Sequence, residues 1–293
     1  MAWREARLPL AVFCPVYCFV GIQMNNDSAR DALFDGFTEF EFSHADVKRV
    51  VYRRGEGPGV ILMHEVPGLH EGVVRLARQL ASAGLSVWMP VLFGSPGVAV
   101  TPVSVAVCMG KVCVSREFRV LAGRKTSPIT DWLRALARHA HAACGGEGVG
   151  VVGMCLTGGF GLAMMADASV IAPVLANPSL PFALSAGQGR ALGIDEQTLQ
   201  AVKERSAVEN IPVLGLRFTG DPAVPNARFE RLREEFGSRF DAFEIDSSSS
   251  NAHGISRWAH SVLGVSYCDE ENHPTRLAEQ RVIEFLKRQL AKA

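Results

Sequence analysis

The sequence predicts an α/β fold with a mostly parallel central sheet and helices on both faces. From about residue 38, short apolar runs alternate with stretches of helical period, the pattern of strands joined by crossover helices. The 293 residues also suffice for one large core, and α/β chains of this length are often a single domain.

FTEFEF and KRVVYRR are expected to open the sheet as antiparallel strands. VILMHEV, residues 60–66, reads as a buried strand, VVRLARQLASAG as a helix stopped by Gly84, and SVWMPVLF, residues 86–93, as the next strand. Residues 94–127, rich in glycine, serine and valine without a steady period, are expected to be an irregular excursion over one end of the sheet. ITDWLRALARHAHAA is an amphipathic helix, GVGVVGMC a strand, GGFGLAMMA a helix and ASVIAPVLANP a further strand. A second excursion, 179–210, is expected to carry a small helix at DEQTLQAVKER. PVLGLRFTG, ARFERLREEFG and RFDAFEID repeat strand, helix, strand, and RLAEQRVIEFLKRQLAKA closes the chain as a helix with one apolar face.

Residues 25–293 are therefore expected to be one domain with two excursions. The preceding stretch is different in kind. LPLAVFCPVYCFVGI is a 15-residue apolar run behind Arg4 and Arg7, somewhat like a signal peptide, but Pro15 interrupts it and no clean small-x-small cleavage site follows. It also falls short of the ~20 apolar residues that span a bilayer. Met24, followed by NNDSARD, is a candidate true start, which would make residues 1–24 an extension.

Lysine plus arginine equals aspartate plus glutamate at 30 each, so no net field favours nucleic acid or an anionic membrane. A small molecule bound at a local site is the expected partner, to a monomer or small homo-oligomer. The seven cysteines lack C-x-x-C spacing and are odd in number, which fits a reducing cytoplasm.

Open parallel sheets place ligands beyond the carboxyl ends of their strands, and chemistry-bearing residues stand there. Cys155 ends GVGVVGMC where the chain must reverse into a helix, with Gly153 before it and Gly158 after it, close to the G-x-Nu-x-G nucleophile elbow. A buried, inert cysteine is the competing reading. Asp221 lies in TGDPAVP after a later strand, and His253 in SSSSNAHGISRW after the last one. Alone, each reads as an ordinary turn or a solvated loop; together, Cys, Asp and His follow the chain order of α/β-hydrolase triads. A thiol titrating near about 8.5 needs His253 as base and Asp221 to orient it. The N–H groups of Leu156 and Val66 would then stabilise the oxyanion. Glu65, at the end of the early strand, needs a partner if buried: the thiol, or Arg257, which could instead grip a substrate carboxylate.

With Glu65, Cys155, Asp221, His253 and Arg257 together, the sequence resembles the dienelactone hydrolase family of α/β hydrolases. The matching blocks are VILMHEVPGLHEGVVRLARQLASAGLSVWMPVLFG, VGVVGMCLTGG, TGDPAVP and AHGISR, over most of the chain from about residue 45. The resemblance implies hydrolysis of an enol-lactone or related ester through a thioester intermediate, without metal or cofactor. It also implies a second carboxylate-binding arginine, for which Arg116 is the candidate, with Arg119 close behind. Two features depart from the family: Thr157 stands where a glycine is usual, and residues 179–210 lengthen the gap between Cys155 and Asp221.

Other signals carry less. GVGVVG, 148–153, matches G-x-G-x-x-G but lies inside a strand rather than opening a helix. GRKT lacks the order of a P-loop, and His139 and His141 point to different faces of a helix, against a metal site with Cys144. His260, in WAHSVL, competes with His253 but is expected to be engaged in packing. A cysteine-elbow enzyme of the amidotransferase or DJ-1-like type is the rival enzyme class, although the His-x-Glu of glutamine amidotransferases is absent, and a non-catalytic binding protein on the same fold is the other alternative.

Overall fold

A computed structural model describes residues 26–114 and 128–291. Its strands are β1 (Thr38–His44), β2 (Val47–Arg54), β3 (Gly59–Met63), β4 (Ser86–Pro90), β5 (Val149–Met154), β6 (Val170–Ala176), β7 (Val213–Phe218) and β8 (Phe240–Ile245). They form one sheet in the order β1-β2-β4-β3-β5-β6-β7-β8. The β1–β2 and β2–β4 pairs are antiparallel and all the others are parallel, as expected of an antiparallel opening followed by crossover units.

The helices are α1 (Asn26–Leu33), α2 (Glu71–Ser82), α3 (Pro102–Val114), α4 (Pro128–Cys144), α5 (Gly158–Met164), α6 (Ala186–Arg190), α7 (Glu196–Val208), α8 (Asn226–Phe236) and α9 (Pro274–Leu290). Helices α2 and α9 cover one face of the sheet, and α3, α4, α5, α7 and α8 supply the core on the other. The period of two along β5 distributes its side chains between these layers: Val149 and Val151 join one core, Val152 and Met154 the other. β3, β4, β5 and β7 are buried along their whole length, which is why they read as unbroken apolar runs rather than alternating ones.

The first excursion is not irregular throughout: α3 lies within it. The valines of PVSVAVCMGKVCV disfavour a helix reading on propensity, but the capping chemistry favours one. Thr101 Oγ1 accepts the backbone N–H of Ser104 at 3.0 Å, Pro102 occupies the first helical position, and Cys108 and Val112 are buried against the core. Arg116 and Arg119 lie outside the described residues. α1 is a further helix, beginning within the polar stretch NNDSARD. In the second excursion α7 begins one residue into DEQTLQAVKER, with Asp195 capping it through Thr198 N–H at 2.7 Å. Among the described residues no helix is long and apolar enough to cross a membrane.

β3 ends at Met63, earlier than expected, which leaves His64, Glu65 and Val66 in the loop beyond the sheet. That loop and those after β5, β6 and β7 rise from adjacent strands and converge on one edge. Asp195→Ala should remove about 1 kcal/mol of stability through loss of the α7 cap, read as a lowered midpoint in urea unfolding with an unchanged slope.

Candidate active site

Cys155 leaves β5 with φ at 55°, the left-handed region that only a constrained non-glycine residue occupies, and begins a 3₁₀ turn, Cys155–Thr157, that feeds α5. Close approaches enforce the turn. A Cβ on Gly153 would lie 2.3 Å from the carbonyl oxygen of Thr157, and one on Gly158 would lie 2.5 Å from Cα of Pro178. Thr157, the departure from the expected glycine, is fully buried and fits through its hydroxyl. The oxygen accepts the N–H of Met154 at 2.8 Å, and its single proton faces the carbonyls of Met154 (2.9 Å), Met63 (3.0 Å) and His64 (3.3 Å). One side chain therefore ties the elbow to the end of β3.

Asp221 follows β7 in a tight turn, buried, with Oδ1 accepting the N–H of Ala223 at 2.9 Å. Its Oδ2 meets Nδ1 of His260, not of His253, at 2.7 Å. Cys155 lies close enough to the His260 ring to act on it through hydrogen bonding and charge. Burial acts to lower the His260 pKa, but the hydrogen bonds and negative charge of Asp221 and Cys155 outweigh it and raise the value from 6.5 to about 11. His253 is exposed, with its ring 5.5 Å from that of His273. This corrects the expected histidine. The coil after β8 runs past His253 before returning to the sheet, and it is the buried residues directly after His260 that pin it: Val262 N–H donates to Asn177 Oδ1 at 3.1 Å, and Ser261 Oγ donates to Glu65.

Glu65 is buried, and its carboxylate is bonded to Ser261 and His70 rather than to Arg257. His70 Nδ1 accepts the N–H of Gly72, so Nε2 carries the proton and donates to Glu65 at 3.2 Å. His64 bridges in the same way, its Nε2 accepting Leu92 N–H at 3.0 Å and its Nδ1 donating to the Glu65 carbonyl at 3.1 Å; burial lowers its pKa to about 3, so it is neutral. Arg257 is exposed, its guanidinium 4.9 Å above the Trp258 ring. With His260 as the partner of Asp221, the residue four positions on is Gly264, where a Cβ would lie 2.0 Å from Glu65 Oε1. The His-x-x-x-Arg spacing of AHGISR is therefore not the spacing of the assembled site. Val66 is half-buried, and it packs with Cys155 against the core that also holds buried Leu156.

The second excursion forms the wall after β6. Arg228 of α8 is buried and donates to the carbonyls of Pro178 (2.6 Å), Pro181 (2.6 Å), Ala191 (2.8 Å), Gln188 (3.0 Å) and Ala223 (3.3 Å). Burial lowers its pKa to about 10, opposed by the charge of Asp221. Ser179, inside the segment so held, places Oγ 3.5 Å from Cys155 Sγ and donates its N–H to the Cys155 carbonyl at 3.1 Å. Sequence reasoning singled out neither Arg228 nor Ser179. His139 stacks on Phe42 with ring centroids 5.2 Å apart.

The model of the dienelactone hydrolase family matches residues 48–290. The chain belongs to that family. Among solved structures, this dienelactone hydrolase family member is similar to a provisionally assigned dienelactone hydrolase from Klebsiella pneumoniae, with a TM-score of 0.55 at 20% identity over 88% of this chain and 100% of that one. A dienelactone hydrolase-like promiscuous phosphotriesterase from metagenomic libraries gives 0.53 at 16% identity over 86% and 98%. A Pyrococcus furiosus esterase gives 0.54 at 15% identity over 93% and 98%. At these identities the likeness shows the fold alone. No curated protein sequence matches the chain.

Two outcomes follow from this geometry. Thr157→Val keeps the shape but leaves the Met154 N–H without its acceptor in a buried site; it should cost about 1–3 kcal/mol in denaturant unfolding. Asp221→Asn removes a charge that raises the His260 pKa, so the midpoint must fall. By NMR the ring of the wild type should remain cationic at pH 8, and in the variant it should titrate at lower pH.

Proposed function

We propose that this family member hydrolyses a carboxylic ester or lactone with Cys155 as nucleophile, His260 as proton carrier and Asp221 as its orienting carboxylate. The observation that carries this reading is the position of His260, bonded to Asp221 and close enough to Cys155 to feel its charge, with that cysteine at positive φ on a strand-to-helix elbow. An inert core cysteine has no need of such a partner or of such a backbone conformation.

In the first half-reaction the Cys155 sulfur, its proton held by His260, attacks the ester carbonyl. The carbonyl oxygen takes the negative charge, stabilised by the N–H groups of Leu156 and Val66. Collapse breaks the bond to the leaving oxygen, which receives the proton from His260 and departs as the alcohol, leaving a thioester. For a lactone the alcohol remains tethered to the acyl group. In the second half-reaction neutral His260 takes a proton from water; hydroxide adds to the thioester, and the C–S bond breaks to release the acid and restore the thiolate and imidazolium. Asp221 keeps Nδ1 protonated throughout and stabilises the cation. No metal enters any of these steps.

Glu65 acts on this chemistry through position. Its carboxylate holds Ser261, the neighbour of His260, and so sets where the imidazole lies. A carboxylate-bearing substrate would have to be gripped by Arg257 from its exposed position, with Arg116 as the second arginine proposed from the family resemblance.

Turnover of p-nitrophenyl acetate and of dienelactone tests the assignment. Cys155→Ala and His260→Ala should each lose at least about 10³-fold in kcat, while His253→Ala stays within about twofold. Full activity in Cys155→Ala would overturn the nucleophile. Loss in His253→Ala equal to that in His260→Ala would overturn the histidine. Arg257→Ala should raise KM for the acidic lactone and leave the neutral ester unchanged; equal effects on both would remove the carboxylate clamp.

A further inference from the structure

The Ser179 hydroxyl is hydrogen-bonded to the candidate nucleophile, and the mechanism above does not use it. Its Oγ lies 3.5 Å from Cys155 Sγ, the side chain is 2% exposed, and its own N–H is bonded to the carbonyl of that same cysteine. We propose that Ser179 is a catalytic residue that donates its hydroxyl proton to the Cys155 sulfur, stabilising the thiolate before attack and again as the thioester C–S bond breaks. The inference rests on Cys155 being the nucleophile.

The direction of the hydrogen bond follows from where the protons are. Attack proceeds from the thiolate, and a thiolate sulfur has no proton to give, so in that state the hydroxyl is the donor across the 3.5 Å contact. The only proton available between Oγ and Sγ is then that of the serine. A thiolate accepting from both an imidazolium and a hydroxyl has two donors in place of the water it loses on burial, and bonds to a charged acceptor are the strong ones.

The hydroxyl is also held in advance. Arg228 binds the carbonyl of Pro178 on one side of Ser179 and that of Pro181 on the other, each at 2.6 Å. Gly158 lets the same segment press on the helix behind the elbow, since any Cβ there would lie 2.5 Å from Cα of Pro178. Fixing the donor before reaction avoids its reorganisation during it. In the acylated enzyme the sulfur is neutral and the bond weak; as the C–S bond breaks, charge returns to sulfur and the bond strengthens. The interaction therefore grows toward the transition state of deacylation, which places its effect in kcat rather than in substrate binding.

The test compares wild type, Ser179→Ala, Ser179→Thr and Cys155→Ala. Iodoacetamide labelling of Cys155, followed by mass spectrometry from pH 5 to 9, reads the thiolate; stopped-flow turnover of p-nitrophenyl acetate reads acylation and deacylation. Ser179→Ala should move the acid limb of labelling to higher pH and slow deacylation by about tenfold, the weight of one hydrogen bond to a charged atom, with kcat and KM falling together where deacylation limits turnover. Ser179→Thr, which keeps the hydroxyl, should recover most of the loss. Thermal unfolding of the variants should match wild type, which separates the effect from a collapse of the wall. A labelling profile and deacylation rate in Ser179→Ala equal to wild type would overturn the role of Ser179 alone, provided Cys155→Ala is inactive. Activity in Cys155→Ala would instead remove the nucleophile on which both readings stand.

Discussion

Cys155 holds a backbone conformation that costs a non-glycine residue roughly 1–2 kcal/mol, and much of the surrounding structure can be understood as what keeps it there. Gly153 and Gly158 open the space. The Thr157 hydroxyl takes the Met154 N–H and leans on the last carbonyls of β3, and Ser179 bonds the cysteine's own carbonyl. These contacts come from three neighbouring strands, so the turn cannot relax without disturbing the centre of the sheet. Strain kept in place by its surroundings is characteristic of a functional position, and here it holds Cys155 at the end of β5 beside Ser179.

The histidine is positioned by a different principle. No regular element carries it; the coil after β8 is free of the sheet until Ser261 and Val262, where Glu65 and Asn177 capture it. A carboxylate and an amide standing at strand ends thus do for the His260 loop what the tight turn does for the cysteine. Asp221 completes the arrangement from β7, itself steadied by the Ala223 N–H and by Arg217, whose guanidinium bonds the Val224 carbonyl at 3.1 Å. The site is assembled from five strand ends, and each contributes an anchoring bond as well as a side chain.

Much of this was legible in the sequence because it depends on local pattern. Unbroken apolar runs gave the parallel strands, and the small residues around Cys155 gave the elbow. The order of cysteine and aspartate pointed to two of the three residues that the structure brings together. The histidine was not legible, because what selects His260 over His253 is a pair of contacts with residues 85 and 196 positions away in the chain. The AHGISR spacing pointed to His253 without any physical contact behind it. α3 is hidden for a different reason: its valines speak against a helix and mask its cap, Thr101 followed by Pro102, which speaks for one. Thr157 read as an anomaly because a residue type alone does not disclose that a hydroxyl can take up the space and the hydrogen bonds of a close turn.

Arg228 gives the segment beside Cys155 an unusual response to its medium. Several cations among the described residues sit in partly exposed pairs such as Arg30 with Glu39 or Lys48 with Glu41, whose attraction fades as counterions gather. Arg228 instead spends its donors on backbone carbonyls in a buried setting where counterions do not reach. Ionic strength will therefore loosen the periphery of the molecule long before it loosens the segment that flanks Cys155, and the shape presented to a substrate will be the same in dilute buffer and in brine.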